Sequence, residues 1–117
     1  MRPITKFLLL LYSLAMFACG GGSNSNVTAN SNATFKIWGN CEMCKETIEG
    51  SLKVEGIKSA DWDKDTKIIT VAFDSTKVTL DQIEKNVSAV GYDTEKFRGD
   101  DRAYAGLPEC CQYQRKE

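Results

Sequence analysis

The chain has 117 residues and a formal net charge of −1, room for one small domain and no basic field for nucleic acid. It contains no histidine, which excludes imidazole ligands, Ser/His triads and histidine acid–base chemistry. Five cysteines are many for this length, so thiols are the first place to look for site chemistry.

Met1 to Ala18 reads as a signal segment: Arg2 and Lys6 supply the positive start, and the apolar run Phe7 to Phe17 is too short to span a bilayer comfortably. Removing those two charges takes the net charge from −1 to −3. The run closes on Ala15-Met16-Phe17-Ala18-Cys19, which resembles a bacterial lipoprotein signal, although Phe17 is bulkier than the usual pattern. That resemblance implies a lipid-modified Cys19 as the first mature residue and a chain held on a periplasm-facing membrane of the cell envelope. The alternative is a plain secretory signal cut nearby. Gly20-Gly21-Gly22-Ser23-Asn24-Ser25-Asn26 is a flexible polar tether. Residues 19–32 are therefore expected to be attachment and linker, 33–98 the folded domain, and 99–117 an extension.

Ala33 to Trp38 alternates, with Phe35 and Ile37 on the buried side, and predicts a first strand. Gly39 and Asn40 break it. Glu42 to about Lys53 predicts a helix burying Cys44, Ile48 and Leu52. Ile57 to Asp63, with Ala60 and Trp62 inward, and Ile68 to Asp74, with Ile69, Val71 and Phe73 inward, predict a hairpin. Thr79 with Gln82 forms a capping box for a second helix, whose stripe is Leu80, Ile83, Val87 and Val90 and which Gly91 stops. Tyr92 to Phe97 can hold a last strand. The order β-α-β-β-α-β is the ferredoxin-like arrangement: an α+β sandwich whose antiparallel sheet carries both helices on one face. In the extension, Tyr104, Leu107 and Tyr113 can pack back on the domain, and Cys110-Cys111 places two thiols near the end.

Cys41-Glu42-Met43-Cys44 ends a strand and opens a helix. Unpaired N–H groups in the first turn favour a thiolate there. Two such sulfurs can grip one soft ion, Cu(I) first and Hg(II) next, or bond to each other. Cys41 is expected to be the exposed, attacking sulfur and Cys44 the buried anchor. Cys110 or Cys111 can add a third or fourth thiolate, which would also admit Zn(II), or can form a disulfide with the first pair, or can merely pin the tail. Met43 is expected to face solvent, thioether ligation being the alternative. Lys45 either offsets the charge of a loaded site or is a solvated helix lysine.

Phe35 to Phe97 resembles the heavy-metal-associated domain family of copper chaperones, mercury-binding periplasmic proteins and the N-terminal modules of metal-transporting ATPases. The resemblance rests on the C-x-x-C loop, on Gly56-Ile57-Lys58-Ser59-Ala60-Asp61-Trp62-Asp63 and on Val90-Gly91-Tyr92. It implies Cys41 and Cys44 as metal ligands, Tyr92 as a cover over their loop (an ordinary core aromatic being the alternative), and a metal-transporting ATPase or another thiol-rich carrier as exchange partner. Where the family usually has methionine two residues before the first cysteine, this chain has Gly39; Asn40 stands where Thr or Ser is usual. The resulting expectation is a membrane-anchored soft-metal binder for transfer or scavenging, not an enzyme. The alternatives are a thiol–disulfide oxidoreductase and a small lipoprotein with purely structural cysteines.

Overall fold

Residues 29–117 are described by the computed structural model; the signal segment, Cys19 and most of the tether lie outside them. Strand β1 (Ser31–Lys36) is followed by helix α1 (Glu42–Gly50), strands β2 (Ile57–Trp62) and β3 (Ile68–Phe73), helix α2 (Leu80–Ala89) and a short helix α3 (Asp101–Ala105). A single 3₁₀ turn, Glu109–Cys111, comes last. The sheet runs β1-β3-β2, antiparallel throughout.

Alternation does what the pattern requires. Phe35, Ile69, Val71 and Phe73 point inward and meet Ile48, Ile83 and Val87 from the two helices in one cluster. Each fully buried aliphatic side chain there contributes about 1.5–3 kcal/mol. On the other face Thr34, Ile68 and Thr70 are exposed. In β2 the alternation slips, because the register shifts between Ile57 and Ser59, so Ile57 and Trp62 are the buried residues and Ala60 is only half-buried.

The Thr79–Gln82 capping box forms as expected, with the Gln82 amide donating to Thr79 Oγ1 at 3.1 Å and the Thr79 amide to Gln82 Oε1 at 2.9 Å. Gly91 ends α2 at φ +102°, and a Cβ there would lie 2.9 Å from the Tyr104 nitrogen, so α3 packs where only glycine fits.

Several boundaries differ from expectation: α1 stops at Gly50, short of Lys53, and β1 ends at Lys36, short of Trp38. β1 begins at Ser31, inside the stretch expected to be tether. Backbone pairing with β3 needs no apolar side chain, and Asn30 adds to it by donating its amide to the Phe73 carbonyl. The expected last strand at 92–97 is reduced to one bridge, Ile37 to Thr94. Its backbone is engaged elsewhere. The Asp93 amide donates to the Tyr113 hydroxyl, the Thr94 amide turns back to the Phe97 carbonyl, and the Lys36 amide of β1 is met by the Glu95 carboxylate instead of a strand.

The extension is part of the fold. Tyr113 is buried between Tyr92, stacked at 5.3 Å, and Tyr104, edge-on at 5.1 Å. Its hydroxyl donates to the Gly91 carbonyl at 2.7 Å. Arg115 reaches the fully buried Asp93 at 2.8 Å and the exposed Asp101 at 2.8 Å. The Lys116 ammonium donates to the Thr94 carbonyl. Asp93 also accepts from the Gly99 and Lys116 amides. Burial opposes ionisation of this carboxyl, but Arg115 and the two amides outweigh that and hold it below the ordinary range.

Candidate metal centre

Cys41 is the N-cap of α1, in extended backbone and with no side-chain cap. Its sulfur is thereby free to face the loop rather than the helix. Cys44, one turn on, lies on the face that buries Ile48 and is itself fully buried. The two sulfurs are 3.4 Å apart. Cys41 is half-buried, which makes it the accessible member of the pair.

The third sulfur comes from the far end of the chain. Cys111 Sγ is 3.5 Å from Cys41 Sγ, and the sulfurs of Cys41, Cys44 and Cys111 all lie within 4.8 Å of one another. All four described cysteines are free thiols. Cys110 points outward to Met43, with Sγ 3.4 Å from the thioether sulfur, while its carbonyl accepts from the Cys41 thiol at 3.2 Å. Met43 is 47% exposed, as expected for a side chain between two inward-facing cysteines.

Electrostatics separate the thiols. Burial works against charge on Cys41, but the Cys44 and Met43 amides and the neighbouring thiols outweigh it and hold Cys41 below the ordinary thiol value. Burial, followed by the neighbouring Cys41 and Cys44, pushes Cys111 up. Around Cys44 the loop supplies Asn40, whose amide donates to the sulfur at 3.4 Å and whose side-chain oxygen accepts from it at 3.1 Å.

Tyr92 is fully buried behind the cluster, and burial, followed by the nearby thiol of Cys44, pushes its hydroxyl up. Among the described residues that hydroxyl completes no hydrogen bond; Cys44 and Cys111 are its polar neighbours. Tyr92 is therefore both a core aromatic, stacked on Tyr113, and a wall of the site. Lys45 does not serve the thiols: its ammonium is held by Glu49, Asp61 and the Trp62 carbonyl, tying α1 to β2. Trp38 lies beneath the Lys36 and Lys116 ammonium groups.

Sequence reasoning missed the support under the loop. The Trp62 ring lies against Gly39, where a Cβ would meet it at 2.9 Å, and its indole N–H donates to the Ile37 carbonyl. The absence of a side chain at 39 beside a large aromatic in β2 was the available signal. The Asp93–Arg115 clamp had none, because nothing in the pattern pairs two charges 22 positions apart.

A small α+β domain with a cluster of free thiols at a strand-to-helix loop is the class that these features define. The profile of the Heavy-metal-associated domain matches residues 34–93, and the chain belongs to that family of heavy-metal-binding domains. The copper chaperone CopZ of Staphylococcus haemolyticus is 30% identical over 56 residues, 47% of this chain and 82% of the chaperone. Among solved structures, a CopZ metallochaperone is 29% identical, covers 55% of this chain and 98% of its own, and superposes with a TM-score of 0.53. The Cu(I)-loaded N-terminal domain of a potential copper-translocating P-type ATPase from Bacillus subtilis is 28% identical, with 54% and 81% covered and a TM-score of 0.51. The profile match holds Cys41 and Cys44 and ends before Cys110 and Cys111.

Proposed function

We propose that this chain binds Cu(I) through Cys41 and Cys44 at a periplasm-facing membrane of the cell envelope, held there by a lipid on Cys19, and that it carries or scavenges the ion without performing catalysis. The observation that carries the reading is the geometry of the loop: two free thiols 3.4 Å apart, one buried and one accessible. Soft thiolates, in a chain without imidazole, select a soft ion over Mg, Ca or Mn. The likeness to copper chaperones and to a Cu(I)-loaded ATPase domain supports copper as the cargo and a copper-translocating ATPase or similar thiol carrier as exchange partner. Ligand exchange would begin at Cys41, where an incoming thiolate can reach a bound ion before the buried Cys44 lets go.

The test is titration of the reduced chain with Cu(I) against a competing chelator. Changing Cys41→Ser together with Cys44→Ser is expected to abolish one-to-one binding while the far-ultraviolet circular dichroism is unchanged. Undiminished affinity in that double variant overturns the reading.

A further inference from the structure

We propose that the loaded site is three-coordinate, with the tail residue Cys111 as the third thiolate. The inference rests on the metal-binding reading of Cys41 and Cys44 and adds a ligand from outside the stretch that the family profile covers.

Three observations converge on it. The first is distance: with Cys111 3.5 Å from Cys41 and all three sulfurs within 4.8 Å, one soft ion can touch all three after small side-chain rotations. The second is preorganisation. Cys111 does not depend on metal to be there, because Tyr113, two residues on, is clamped between Tyr92 and Tyr104 and bonded to Gly91 and Asp93, and Arg115 is locked to Asp93. The ordering cost of bringing a distant ligand to the site is thus met by folding, not by binding. The third is the Tyr92 hydroxyl, fully buried, without a hydrogen-bond partner among the described residues, and with Cys44 and Cys111 as its polar neighbours. A buried hydroxyl left unpaired is costly, and a thiolate is the acceptor that would satisfy it.

The adjacent thiols are not equivalent. Cys111 is 1% exposed and turned in, whereas Cys110 is exposed and turned toward Met43. Binding exchanges thiol protons for metal–sulfur bonds, with no change of oxidation state: Cu(I) enters, the cysteine protons leave to solvent, and three Cu–S bonds form. A third sulfur holds the ion more tightly than a pair and leaves Cys41 as the exchange edge. The site is therefore built to retain its ion until a partner thiolate displaces it, which fits scavenging and guarded delivery.

The test uses the full chain, reduced, with Cys19→Ser in every sample so that only the clustered thiols are counted. X-ray absorption of the one-to-one Cu(I) complex is expected to give three sulfur neighbours, and Cys111→Ser is expected to give two sulfurs and an affinity lower by an order of magnitude or more. Cys110→Ser is expected to change neither. Two sulfurs in the parent, undiminished affinity in Cys111→Ser, or a loss confined to Cys110→Ser overturns the proposal. Should Cys111→Ser disturb the tail, the Hg(II) complex of the parent decides, since the charge-transfer bands of two- and three-coordinate mercury thiolates differ. Loss of binding in the Cys41/Cys44 double variant together with an unaffected Cys111→Ser would leave the two-thiol reading standing and remove only the third ligand.

Discussion

Gly39 and Trp62 are two halves of one packing decision. The chain bends into the metal loop over the Trp62 ring, and the ring is in contact where any side chain at 39 would start. The resemblance implies a methionine under such a loop; here the filling comes from β2 instead. Gly39→Met is therefore expected to cost about 1–3 kcal/mol through overpacking. Trp62→Leu alone is expected to cost about 2–4 kcal/mol from the space it leaves. Combining them should cost clearly less than the sum, because the new thioether can occupy the vacated space. Urea denaturation of the two single variants and the double variant measures this coupling, and strict additivity would refute the exchange of filling. Asn40 meets Cys44 twice at the same scale, its backbone amide donating to the sulfur and its side-chain oxygen accepting from it.

Helix α1 and the tail are the elements that present the sulfurs, and they are held by different means. Lys45 and Glu49 bind α1 to β2, with the Trp62 amide donating to Glu49 at 2.8 Å. The tail is held by Asp93, whose carboxylate is buried and fully committed. Its folded value is depressed, so its contribution is complete above the unfolded value of about 4 and is lost as pH falls through the folded value. Acid titration followed by the amide resonances of Gly99 and Lys116, both bonded to Asp93, should show the clamp releasing only well below neutral pH. Arg115→Ala removes the leading favourable partner, so the release should begin at higher pH. An unchanged midpoint would mean that the amides alone hold the carboxylate. Much of this scale was legible: the Thr79–Gln82 box, the Gly91 stop and the inward sets of β1 and β3 follow from capping chemistry and period two. The last strand was not, because whether 92–97 pairs with β1 depends on what Tyr113 and Arg115 take from it.

For the whole molecule, the described domain is a sheet with helices on one face and a tail that closes over the site, and among its described residues no helix is long and apolar enough to cross a membrane. A membrane position therefore rests on Cys19 and the signal-like segment before it. Metabolic labelling with a fatty acid is expected to mark the parent chain and not Cys19→Ser, while Cu(I) affinity is the same in both. A Cys19→Ser variant that is still labelled, or a parent chain that is not, would contradict lipid attachment at Cys19.

The sequence alone determined the candidate ligands and most of the scaffold. Local rules suffice for those: a C-x-x-C at a strand-to-helix turn, alternation for strands, a capping box and a glycine for α2, and the absence of histidine that leaves thiols as the candidate ligands. It also left open what Cys110 and Cys111 do. Only the tertiary structure decided that Cys111 turns in and Cys110 turns out, that Tyr92 both fills the core and faces the thiols, and that Trp62 underlies the loop. Each of these is set by contacts between residues far apart in the chain, above all the stacking of Tyr113 on Tyr92 and the pairing of Arg115 with Asp93. Such contacts leave no periodic trace, because a pair of side chains meeting across a fold depends on the path of everything between them.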